Sequence, residues 1–187
     1  QLYNGKKSRY NERDKYSPIN WYSKNKVLCE KEVKKIKKFV IIRTNFFGWA
    51  PKNRKSFSDF ILFNKKKEIT LYENIYYTPI LIDYLIQGIS KIIDKKIYGI
   101  FNICSSEKLS KYEFGIKIKK IFKLKKIVIK KDQYSQLNKN TPRPYNMSLD
   151  NSKFLKLGYK IPSLDFQIKK MFSEYKKKKY SKIRYGY

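Results

Sequence analysis

A helical stretch that runs straight into a short β-branched run restricts this chain more than any other feature. Residues 19–37 read as a helix, and Phe39-Val-Ile-Ile-Arg-Thr44 follows as an apolar run that predicts a buried strand at 38–44. Asn45-Phe-Phe-Gly-Trp49 then turns the chain where that strand meets a loop. The alternation recurs downstream. Helices are expected at 57–63, 80–94 and 110–122, with strands at 68–72, 99–104 and 127–130. A short helix at 151–157 stops at Gly158, a residue suited to a left-handed cap, and a last helix covers 163–175 with Leu164, Ile168, Met171 and Phe172 on one side. Residues 1–17, 45–55 and 138–144 read as loops, and 176–187 as a frayed, disordered basic tail. Strand–helix alternation defines an α/β fold, and such folds build ligand crevices at the carboxyl ends of strands.

The first helix carries a chemical signal. Pro18-Ile-Asn-Trp-Tyr-Ser-Lys-Asn-Lys26, closed by Glu30, sets Tyr22 and Lys26 four residues apart. Positions i and i+4 share a helix face, so a phenol and an ammonium would meet the same cleft. A free phenol titrates near ~10, and a cation held beside it favours the phenolate and suits it to acid–base work. In a chain this rich in Tyr and Lys, the same spacing also fits two residues on a solvated face.

Composition narrows the classes. Lys+Arg 45 against Asp+Glu 15 gives +30, a balance that ordinarily points to nucleic acid or an anionic surface. Only six of the 45 basic residues are arginine, the residue that specific phosphate and base recognition favours. The lysines run through every segment beside heavy loads of Ile, Asn and Tyr, which share A/T-rich codons, so codon drift explains the charge better than a nucleic-acid role. An anionic substrate would also suit it. Histidine is absent, which removes His-based triads, bases and metal ligands. Cys29 and Cys104 cannot make a zinc site, so no metal is expected; both read as buried apolar side chains in a reducing compartment. No apolar run approaches the ~18 residues of a membrane span.

Further segments carry a family likeness. Leu2-Tyr-Asn-Gly5 with Tyr10-Asn-Glu-Arg-Asp14 resembles a "V-F-D-G … Y-x-E-x-D" loop, and Pro18 to Glu30 a "P-x-N-x-Y-G-x-(S/T)-K-x-x-x-E" stretch. Ile42-Arg-Thr44 matches "(I/L)-R-T", and Thr78-Pro79 before an amphipathic helix resembles "P-T … D-L-A". Tyr98 to Asn102 with Ser110 to Phe114, then Arg143-Pro-Tyr-Asn146 with Leu149-Asp150 and Lys153, complete the set in order. Together these resemble the extended, sugar-nucleotide-modifying branch of the short-chain dehydrogenase/reductase superfamily, and within it the dTDP-4-dehydrorhamnose reductases. The likeness covers about residues 1–172.

The resemblance implies an α/β, Rossmann-like fold with a small α/β substrate-binding region and an NADP or NAD cofactor. It implies reduction of a 4-keto sugar nucleotide for cell-surface polysaccharide, with a nucleotide-sugar partner, a cytoplasmic location and a homodimer as further expectations. Seven scattered glycines include no Gly-x-Gly-x-x-Gly, so residues 1–175 read as the carboxyl-terminal portion of such an enzyme, its dinucleotide-binding half and catalytic Ser/Thr lying upstream. Tyr22 would be the general acid at the sugar C4 oxygen, and Lys26 would support it and bind the nicotinamide ribose. Asn45 would meet a sugar hydroxyl. Phe46 stands where the family has a tryptophan on the sugar. Arg143, on a loop fixed by prolines, would take the diphosphate, a structural salt bridge being the other reading. Arg43, after a buried strand, either pairs structurally or faces the diphosphate. An epimerase or dehydratase of the same superfamily, a non-catalytic relative or fragment, and a basic nucleic-acid or membrane module are the alternatives.

Overall fold

A computed structural model describes residues 2–51, 53–136 and 141–177. The elements run α1 (Trp21–Val33), β1 (Val40–Arg43), β2 (Asn45–Phe47), α2 (Phe57–Leu62), β3 (Glu68–Tyr72), β4 (Tyr76–Tyr77) and β5 (Pro79–Leu81). They continue as α3 (Ile82–Asp94), β6 (Gly99–Asn102), β7 (Leu109–Ser110), α4 (Lys111–Ile121), β8 (Val128–Asp132), α5 (Ser152–Leu155) and α6 (Leu164–Lys176). Three of the four strand pairs are parallel: β1 with β6, β2 with β5, and β3 with β8; β4 and β7 are antiparallel. Parallel neighbours need long crossovers, and helices supply them here. In the first pair Ile42 stands opposite Phe101 and Arg43 opposite Asn102.

The helices explain the packing. Leu164, Ile168 and Met171 turn one face of α6 into the core, where they join Phe114 and Ile118 of α4 and Ile69 and Leu71 of β3. Each fully buried aliphatic chain of this size contributes roughly 1.5–3 kcal/mol. Buried Gln167 on α6 accepts from the Leu81 amide at 2.7 Å and donates to the Pro162 carbonyl at 2.8 Å, fixing that helix on β5. A second cluster joins Ile92 of α3, Phe101 and Ile103, and Phe154 of α5. Gly158 has φ +81, the expected left-handed stop.

Several boundaries moved. The first helix is shorter at both ends than 19–37, starting at Trp21 because Asn20 caps it. The 45–55 loop begins with a strand, because Asn45, Phe46 and Phe47 pair with Pro79, Ile80 and Leu81. Cys29 is exposed, against the expectation that it is buried; it shares the solvent-facing stripe of α1 with Tyr22 and Lys26. Cys104 is buried, and that burial pushes its thiol up to about 12. The expected tail lies mostly outside the described residues. Among the described residues no helix is long and apolar enough to cross a membrane.

Candidate functional site

A cleft of about 480 Å³ lies along α1 and β1. Tyr22, Lys26, Cys29, Glu30 and Val33 line it from the helix, and Val40 through Asn45 line it from the strand and its end. Leu2, Tyr3, Asn146, Met147 and Leu149 close the remaining wall. The i, i+4, i+7, i+8, i+11 spacing of the helical residues is what puts them in one stripe.

Tyr22 is 58% exposed, and Lys26 holds its ammonium 5.5 Å from the centre of the Tyr22 ring. Neither side chain makes a hydrogen bond or ion pair among the described residues, so both have polar atoms free for a ligand. Asn45 reaches the same cleft and donates to the Met147 carbonyl at 3.1 Å. Its neighbour Phe46 is 62% exposed and lies outside the lining.

Asn20, which the sequence reading passed over, joins the helix to the Arg143 loop. Its Oδ1 accepts from the Ser23 amide at 2.8 Å, and its Nδ2 donates to the Pro142 carbonyl at 2.8 Å. One side chain thus caps the helix of Tyr22 and ties down the segment bearing Arg143. Gly5 packs on the same segment with φ +80; a Cβ there would stand 2.7 Å from the Tyr145 nitrogen. Arg143 itself is exposed to solvent and lies outside the cleft lining. No salt bridge holds it among the described residues.

Arg43 is paired, one of the two roles its buried position left open. Its Nε and Nη2 donate to the two Glu30 carboxylate oxygens at 2.9 and 2.7 Å, and Nη1 donates to the Tyr3 hydroxyl at 2.7 Å. Tyr16 donates to Glu30 at 2.7 Å. Burial alone would raise the Glu30 carboxyl, but the Arg43 and Tyr16 bonds outweigh it and hold it below its usual range. Burial, partly offset by Arg43, pushes the Tyr3 phenol up to about 12. The network locks α1 to β1 and so fixes the stripe that carries Tyr22. In the sequence, the buried strand before Arg43 hinted at a structural pairing without naming its partner.

Parallel strand pairs joined by helical crossovers, with α1 lying along β1, define a mixed α/β protein of Rossmann-like type. The chain belongs to the RmlD substrate binding domain family, whose model matches residues 1–177. Its fold is similar to that of dTDP-4-dehydrorhamnose reductase from Bacillus anthracis, solved in complex with NADP, at TM-score 0.83, 22% identity, and 92% of this chain against 62% of that one. A dTDP-4-dehydrorhamnose reductase from Clostridium acetobutylicum matches at TM-score 0.83 and 21% identity over 94% of this chain and 63% of its own. A third, from Yersinia enterocolitica, matches at TM-score 0.78 and 23% identity over 89% and 61%. The chain therefore spans a little over three fifths of the length of these structures. No curated protein matches it.

Proposed function

We propose that this chain forms the substrate side, with the Tyr/Lys pair, of an NAD(P)-dependent enzyme that reduces a 4-keto sugar nucleotide. One observation carries the reading. Tyr22, Lys26 and Asn45 share one cleft, and Asn20 ties the Arg143 segment to the start of the Tyr22 helix. The exposed phenol and the unpaired ammonium fit a nicotinamide cofactor's ribose, while the chain holds no glycine loop for its pyrophosphate. The cofactor, when bound, supplies hydride.

The chain's own residues do the rest. Tyr22 donates a proton to the sugar C4 oxygen as that carbon is reduced. Lys26 holds positive charge beside the phenol, 5.5 Å from its ring, and donates to ribose hydroxyls. Asn45 orients the sugar from the end of β1, and Arg143 offers its planar fork to the diphosphate. Phe46, exposed beside Asn45, takes no part in the cleft wall.

Replacing Tyr22 by Phe in the full-length protein tests this. Loss of a general acid should lower kcat by ~10²–10⁴ with little change in KM for the sugar nucleotide. A Tyr22→Phe enzyme that keeps most of its turnover would remove the assignment.

A further inference from the structure

Helix α1 has three faces, and the fold uses two of them. Ser23, Val27 and Glu30 are buried, and Tyr22, Lys26, Cys29 and Val33 line the cleft. The third face is turned to solvent. Trp21, Lys24, Leu28 and Lys31 follow at i, i+3, i+7 and i+10, the spacing of a single helical stripe, and all four are exposed. Trp21 is 78% exposed and Leu28 56%. Just past the helix end, Ile36 is 59% exposed between Lys34-Lys35 and Lys37-Lys38. An indole and two aliphatic chains raised in one row and framed by charge mark an interaction surface, which scattered surface apolar residues do not.

The charge around that row is of one sign. Residues 24–38 hold seven lysines and two acids, and folding neutralises both acids: Glu30 pairs with Arg43, and Glu32 with Lys35. Among the described residues Lys24, Lys31, Lys37 and Lys38 have no carboxylate partner. Two of them lie over rings instead. The Lys24 ammonium is 4.7 Å from the centre of the Trp21 ring, and that of Lys38 is 5.9 Å from the Tyr98 ring, itself 47% exposed. Charge complementarity calls for an anionic partner, and the apolar groups select its kind. Nucleic acid offers flat bases, on which Trp21 can stack but Leu28 and Ile36 cannot. A second copy brings the same lysines and is repelled. An anionic bilayer surface suits every group. Its acyl boundary takes the aliphatic chains, the indole rests at headgroup level, and the lysines lay their stems on apolar surface with their ammonium groups among the lipid anions.

We infer that the outer face of α1, with the lysine-rich turn that follows it, docks on an anionic lipid surface, the helix lying on the bilayer. Trp21 and Leu28 stand about 10 Å apart along the axis at 1.5 Å per residue, so both enter the interface when the helix lies parallel to it. Tyr22 is one residue on from Trp21, a rotation of about 100°. The cleft stripe therefore lies beside the docked face and not within it. This docking does not depend on the reductase reading.

The test is flotation of the full-length protein with vesicles of phosphatidylcholine alone or with about 30 mol% phosphatidylserine, at about 0.1 M and about 0.5 M salt. The protein should float with the anionic vesicles at the lower salt and stay behind with the neutral ones. Trp21 emission, read as the difference between wild type and Trp21→Phe, should shift to shorter wavelength as the indole leaves water. Trp21→Ala with Leu28→Ala keeps every lysine and should weaken partitioning about tenfold or more. Lys24→Glu with Lys31→Glu should weaken it about thirtyfold or more, whereas Lys125→Glu with Lys126→Glu, the same charge change in the exposed turn before β8, should cost less than about threefold. Circular dichroism checks that each variant is folded, and all four target positions are solvent-exposed. Equal losses from the two charge reversals would show adsorption by net charge alone and overturn the assignment. So would unchanged partitioning of the Trp21/Leu28 double variant, or an indole that stays in water. Duplex DNA binding that the same double variant abolishes, without flotation of the wild type, would give the face to nucleic acid. Self-association of the wild type in ultracentrifugation that Leu28→Ala abolishes would give it to a second copy, and either result overturns the lipid assignment.

Discussion

Glu30→Gln should be among the most damaging single changes in this chain, although Glu30 touches no proposed substrate atom. The Arg43 and Glu30 side chains are only 5% and 11% exposed and meet through two hydrogen bonds at 2.9 and 2.7 Å. Removing the carboxylate charge leaves a buried guanidinium with only neutral side-chain partners, the new amide oxygen, Tyr3 and Tyr16. Breaking a buried pair from one side typically costs ~3–5 kcal/mol. Set against a total stability of ~5–15 kcal/mol, that is a large fraction. At about 2–4 °C per kcal/mol for a chain of this size, Tm should fall by roughly 6–20 °C. Removing both charges, as Glu30→Met with Arg43→Met, should recover much of the loss, since an apolar replacement of a buried pair is often close to neutral. Urea unfolding of both singles and the double gives the coupling energy directly.

The pH dependence follows from the same bonds. Glu30 is held below its unfolded value of 4.5, so its contribution is complete above that value and disappears as pH falls through the lower, folded value. Wild-type stability should therefore drop below pH 4.5 more steeply than that of Glu30→Gln. A loss under ~1 kcal/mol in the single variant, the range of exposed surface pairs, would refute the reasoning.

Two further changes probe the placement of the Arg143 segment. Asn20→Ala removes both the helix cap and the Pro142 tether and should cost ~1–2 kcal/mol by urea unfolding, whereas Asn20→Ser restores the cap alone and should recover about half. If Ser and Ala behave identically, the cap contributes nothing here. Gly5→Ala places an L residue at φ +80 and a Cβ 2.7 Å from both Pro144 Cβ and the Tyr145 nitrogen. The conformation costs ~1–2 kcal/mol by itself, and amide exchange at residues 145–147 should speed up; protection unchanged from wild type would show that the contact is slack.

Much of this fold was legible because its signals are local. The helix at 163–175 announced its buried face through Leu164, Ile168 and Met171, and Gly158 announced a stop that needs a left-handed residue. Tyr22 and Lys26 share a stripe because 3.6 residues make a turn, whatever the rest of the chain does. The short strands at 45–47, 76–77 and 109–110 were not legible. They exist only because Pro79–Leu81, Ser110 and Tyr76 arrive beside them from distant parts of the chain. Cys29 was misread for a related reason: an apolar thiol on a helix is buried only if something packs on its face, and here that face opens on the cleft.

The same division runs through the site. Which residue types stand at which spacing is written in the chain: the Tyr22/Lys26 pair, Asn45 at a strand end, and Arg143 between prolines. Their partners come from folding. It paired Arg43 with Glu30, used Asn20 to join α1 to a loop more than a hundred residues away, and set the Lys111 ammonium against the rings of Phe57 and Tyr77. Charge and hydrogen-bonding capacity belong to the residue, and sequence states them. Whether a charge is neutralised, solvated or left waiting for a ligand depends on what the fold brings within a few ångströms of it.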